Sequence, residues 1–136
     1  MGRDPDTTLH RWLTSPSGKD VAGAFPSALL VTITCFDDEA LLLVAGEVDH
    51  FSAPLLAARL DEAGAAGATH AVLDISAMSF VDAAGLAALV AATGEFRARG
   101  GDLILVGARP VFTKLVRLFD LGGELSLGSH EGAQER

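Results

Sequence analysis

A chain of 136 residues is one domain's length, and its 49% apolar content supports a core without metal or disulfide staples. Eighteen acidic against ten basic residues give a net charge of −8, which sets nucleic acid and anionic lipid aside as partners. Cys35 is the only cysteine, which excludes an internal disulfide. Its place in an alternating apolar run marks it as a small buried hydrophobe in a reducing, cytoplasmic protein. No apolar segment approaches the ~18–20 residues that cross a bilayer. The leading residues lack a signal-peptide apolar region, and Asp6 stands where a myristoylation signal needs Ser or Thr, so no membrane insertion is expected.

Residues 1–28 are rich in Pro, Gly, Ser, Thr and Asp and show no sustained period. They read as a flexible or loosely docked extension, dispensable for folding, with a short helix over Thr8–Leu13 and Trp12 as a pin. "LVTITCF" then alternates, with Val31, Ile33 and Cys35 on one face and Thr32 and Thr34 on the other, the pattern of a half-buried strand. A polar turn at Asp37, Asp38 and Glu39 leads into "ALLLVAGEV", a continuous apolar strand, so the pair reads as a hairpin. In "DHFSAPLLAARLDEAGAAG", Ser52 is the N-cap, Pro54 fits the first turn, Leu56, Leu60 and Ala63 form the buried face, and Gly64 or Gly67 ends the helix. "HAVLDISAM" is apolar on both faces and reads as a central strand.

Asp82 then caps a second helix whose stripe is Leu86, Leu89, Val90, Thr93 and Phe96, stopped by Gly100 and Gly101. Arg97 and Arg99 fall at its C-terminal end, where cations offset the macrodipole. "DLILVGA" is a further strand. "RPVFTKLVRLFDLGG" is a third helix with Val111, Leu115, Leu118 and Phe119 on one face, and "ELSLG" adds a short last strand or turn. The order β-β-α-β-α-β-α, with an optional final β, predicts an α/β fold. It is a mixed sheet carrying helices mainly on one side, folded over 29–127 and followed by a polar tail over 128–136.

The chain has no P-loop, no Gly-rich dinucleotide fingerprint and no G-x-S-x-G elbow. His10, His50, His70 and His130 have no ligand spacing, so neither a metal nor another cofactor is expected. The step Asp49-His50 reads as a polar loop pair rather than half a triad. A binding protein, not an enzyme, is the expectation. The remaining feature is "SFVDAAGL" at 79–86, a strand-to-helix junction. A purely architectural account suffices for it: Asp82 caps, Ala83 and Ala84 favour helix, and Gly85 lets backbones approach.

Two segments together go further. "GEVDHFSAPLL" at 46–56 and "LDISAMSFVDAAGLAALV" at 73–90 resemble the two signature regions of the STAS domain, a family that includes bacterial anti-sigma-factor antagonists. The likeness spans roughly 29–127. It implies a partner-binding surface at Asp49, Ser52, Asp82, Ala83, Ala84, Gly85 and Leu86, and a partner that is an anti-sigma factor with a kinase-like ATP-binding fold. In phosphorylatable members the residue before the Gly is Ser or Thr. Here it is Ala84, and Ala83 replaces the other common Ser, so the resemblance implies a switch without its hydroxyl. Ser76 and Ser79 are close by but are not expected to substitute. The resemblance also admits a STAS-type subunit of a phospholipid-transport complex, beside a transporter ATPase, or a small-ligand-binding module.

Overall fold

The computed structural model describes residues 29–128; the helix expected over Thr8–Leu13 and the tail from 129 onward lie outside them. Strands β1 (Leu29–Phe36) and β2 (Glu39–Val48) form the expected hairpin around Asp37–Asp38. Asp37 takes φ 57°, a conformation a short polar side chain tolerates. Helix α1 (Ala53–Ala65), strand β3 (His70–Val81), helix α2 (Ala83–Ala98), strand β4 (Asp102–Val106), helix α3 (Pro110–Leu118) and strand β5 (Ser126–Leu127) follow. The five strands lie in sequence order, with β1–β2 antiparallel and the other pairs parallel, so the mixed sheet is as expected.

Register decides which side chains meet. Ile33, Leu42, Leu73 and Leu105 pair in one row across four strands, and Cys35, Ala40, Ala71 and Leu103 in the next. Leu56, Leu60 and Ala63 of α1 and Leu86, Leu89 and Phe96 of α2 are buried in the same apolar cluster. Each fully buried Leu or Phe there contributes roughly 1.5–3 kcal/mol. Thr93 is buried too, and its hydroxyl donates to the Leu89 carbonyl at 2.8 Å, which removes the cost of an unpaired polar group.

Four local readings differ from the sequence expectations. Strand β2, read as continuously apolar, buries one face only: Ala40, Leu42 and Val44 point inward while Leu41 and Leu43 stay exposed. The run is apolar throughout, so alternation is invisible in it and only the one-sided packing reveals it. Strand β3 continues past Met78 to Val81, with two register shifts against β2 between Leu43 and Glu47. In α3 the buried side chains are Phe112 and Val116, while Val111, Leu118 and Phe119 are exposed. The nine-residue helix carries two neighbouring apolar stripes, and placing its aromatic Phe112 inward rotates the other stripe into solvent. Arg97 does more than face a dipole. It donates to the Gly123 carbonyl at 2.8 Å and the Ser126 hydroxyl at 2.7 Å, tying the end of α2 to β5, while the Arg99 guanidinium sits 4.9 Å from the Phe96 ring centre.

Candidate functional site

The parallel strands β2 and β3 end side by side, with Val48 opposite Val81. Both then turn into helices, so two loops meet at the C-terminal ends of parallel strands, where open α/β sheets present binding groups. Asp82 joins these loops. In extended backbone (φ −111°, ψ −172°), its Oδ1 accepts the Gly85 N–H at 3.1 Å and caps α2 as expected. Its Oδ2 accepts the His50 N–H from the other loop at 2.9 Å. The Asp82 N–H donates to the Val48 carbonyl at 3.2 Å, which anchors the junction to the end of β2.

Gly85 lets α2 approach this closely. A Cβ there would lie 2.6 Å from the Val48 carbonyl oxygen, 2.7 Å from Val81 Cγ2 and 2.8 Å from Val48 Cγ1. The first loop is braced internally. Asp49 Oδ1 accepts the Ser52 N–H at 2.9 Å and the Phe51 N–H at 3.0 Å. The Ser52 N–H holds the Asp49 carboxyl below the usual carboxylate range; burial opposes this less strongly, and the Ser52 hydroxyl and the Phe51 N–H reinforce it. Ser52 is the residue before α1, but its hydroxyl makes no cap bond. It accepts the Asp49 N–H at 2.9 Å and lies 2.7 Å from the Glu47 carbonyl and 3.0 Å from Asp49 Oδ1. Helical backbone at Ser52 (φ −97°, ψ −15°) turns the side chain back into its own loop.

The fold therefore brings all seven expected residues to one end of the sheet and sorts them. Gly85 and Leu86 are buried and position the helix; they offer a partner no surface. Asp49, Ser52, Asp82 and Ala84 are half-buried, and Ala83 is exposed. Of the two alanines, Ala83 is the more exposed. Ser76 and Ser79 are also exposed. The Ser76 backbone N–H donates to Asp74 Oδ1 at 2.9 Å.

Sequence reasoning missed the aromatic surface around this junction. Phe51 is 86% exposed on the first loop, in edge contact with His50, and Phe80 is 50% exposed at the end of β3. Phe80 also lines a shallow groove with Met78, Arg109, Val111 and Phe112. The signal was legible in principle: Phe51 is a large apolar residue in an otherwise polar turn, where burial does not account for it. Cys35 is half-buried, and burial, with Glu62 nearby, pushes its thiol above the usual range, the opposite of an activated nucleophile.

A family model described as the STAS domain matches residues 31–133. The fold is similar to that of an anti-sigma factor antagonist from Mycobacterium paratuberculosis, at 24% identity over 74% of this chain and 85% of that one, with a TM-score of 0.65. It is similar to the phosphorylated form of the Bacillus cell fate determinant SpoIIAA, at 22% identity over 80% of this chain and 98% of that one, with a TM-score of 0.59. The murine anion transporter Slc26a9 carries a similar unit, at 15% identity over 90% of this chain and 25% of that one, with a TM-score of 0.57. No described helix is long and apolar enough to cross a membrane.

Proposed function

The chain belongs to the STAS domain family, and from that premise we propose that it is a cytoplasmic anti-sigma-factor antagonist that lacks a phosphorylation switch. It binds an anti-sigma factor of kinase-like ATP-binding fold through the surface formed by Asp49, Phe51, Phe80, Asp82, Ala83 and Ala84. The observation that carries this reading is the pair of alanines at the start of α2, exposed and half-buried in turn, on an aromatic-rimmed junction held rigid by Asp82. Exposed aromatic rings beside uncharged small residues suit a desolvated contact. In a phosphorylatable relative a phosphate here adds about −1.5 to −2 charge, which such a contact does not accommodate. Neither Ala83 nor Ala84 can take one, so the binding surface keeps its affinity in the presence of the kinase.

The test is capture from the native cell with the parent chain and with Ala84→Glu. A small kinase-like ATP-binding protein should be recovered by the parent. An unpaired carboxylate buried in the contact costs several kcal/mol. At 1.4 kcal/mol per tenfold, a loss of ~3 kcal/mol weakens binding on the order of a hundredfold. With that partner and ATP, intact mass should show no added phosphate on the parent, while Ala83→Ser or Ala84→Ser gains one. Equal binding by parent and Ala84→Glu, with both folded, would refute the assigned surface. Recovery of a transporter ATPase instead would move the chain to the transport branch of the family.

A further inference from the structure

The face of the sheet opposite α1 and α2 is apolar and open. Leu30, Thr32, Thr34 and Phe36 of β1, Leu41 and Leu43 of β2, Val72 and Asp74 of β3, and Ile104 and Val106 of β4 share it by register. Among the described residues none of these is buried; Phe36, Leu41 and Leu43 are 48%, 42% and 47% exposed. A contiguous apolar surface of this kind marks a contact surface.

We infer that this face is the docking site of the chain's own leading segment, with Leu9, Trp12 and Leu13 seated over Leu41 and Leu43. Three observations select this occupant. The segment leads directly into the edge strand, where Leu29 turns to the core and the next residue, Leu30, lies on the open face. It is long enough: three inter-strand spacings make a face about 15 Å wide, and 28 extended residues reach up to ~90 Å. Its large apolar residues are spaced to match one surface, because Leu9, Trp12 and Leu13 fall at i, i+3 and i+4, one side of a helical turn. A tethered segment competes at an effective concentration in the millimolar range, which a free second copy reaches only in concentrated solution.

The sequence supplies its own probe. With one Trp and no Tyr, tryptophan emission reports residue 12 alone. The experiment uses the full chain and compares emission and acrylamide quenching of the native and urea-unfolded protein across a dilution series, with sedimentation at each concentration. Trp12 should emit to the blue and resist quenching in the monomer, independently of concentration. Leu43→Asp should abolish that protection with the far-ultraviolet circular dichroism unchanged. If Leu43→Asp does not fold, the double variant Leu41→Thr, Leu43→Thr removes the apolar surface with a residue strands favour, and the same loss is expected. Quenching equal to that of the unfolded chain overturns the inference. So does protection that appears only in a dimer, which assigns the face to a second copy. Protection unaffected by the face variants places Trp12 elsewhere and overturns it too.

Discussion

Gly85→Ala tests whether close helix–strand contact sets the junction. The added methyl would stand 2.6 Å from the Val48 carbonyl oxygen and 2.7–2.8 Å from methyls of Val81 and Val48. The two valine methyls can move by small rotations. The carbonyl cannot move freely, because it already accepts the Asp82 N–H at 3.2 Å. Overpacking of this kind costs about 1–3 kcal/mol, and a weakened hydrogen bond adds roughly 0.5–1.5 kcal/mol. Ala gains about 1 kcal/mol over Gly as a helix former. The net expectation is a loss of about 1–3 kcal/mol, or a melting point lower by roughly 4–10 °C at this chain length. Thermal and urea melts of parent and variant measure it. A variant as stable as the parent, or more stable, would show that propensity outweighs the contact and that α2 does not need the approach the structure shows.

Asp82→Ala removes an acceptor from two loops at once, so it should cost more than the ~1 kcal/mol of an ordinary cap; urea melts check this, with Asp82→Asn retaining part of the difference. Stability should fall on the acid side. Burial pushes the Asp102 carboxyl up, but the Ser126 hydroxyl, the Leu103 N–H and Arg97 together hold it below the usual range, and Asp49 is held low by its loop N–H donors. A carboxyl depressed in the folded state stabilises it fully above the unfolded value of about 4 and loses that contribution as pH falls through the folded value. Melts between pH 7 and pH 2 should show the loss, and Asp102→Asn should flatten it. Deleting residues 1–26 should leave a cooperative melt, lower by about 1 kcal/mol or less; that ceiling corresponds to a docked-to-free ratio of roughly 4 to 1 for the leading segment.

The sheet and its helices were readable because their signals are local. Alternation at Val31 and Ile33, the Leu86–Phe96 stripe and Asp82 before Ala83 each depend on neighbours a few residues apart. The failures share a different cause. "ALLLVA" at 40–45 is apolar on every residue, so nothing within it tells Leu42 from Leu43; the helices packed on one side make that distinction. In α3 the stripe containing Phe112 and that containing Val111 are equally good locally, and the sheet chooses. At the site, the residue types were legible but their division of labour was not. Gly85 and Leu86 look like part of a surface in the sequence, and only the approach of α2 to Val48 and Val81 buries them. Ser52 has a cap's position without a cap's bond because Asp49 claims its hydroxyl.

The hydrogen bonds at the junction bear on how an antagonist without a phosphoacceptor would be controlled. The first N–H groups of a helix lack intrahelical acceptors. In α2 Asp82 takes that of Gly85, which leaves those of Ala83 and Ala84 without an intrahelical acceptor. A phosphate at this place would meet two amides that favour it and the carboxylates of Asp82 and Asp49 that oppose it. The local balance is small, so a phosphate would act mainly against the partner, through a charge the contact must desolvate. On the proposed reading, alanine removes that lever and leaves the rigid junction intact. Occupancy of the partner then follows concentration and Kd alone. A tenfold change in abundance shifts the bound-to-free ratio by about 1.4 kcal/mol, against the several kcal/mol of a buried phosphate. On the proposed reading, the protein answers its own synthesis gradually, where a phosphorylatable relative would answer its kinase as a switch.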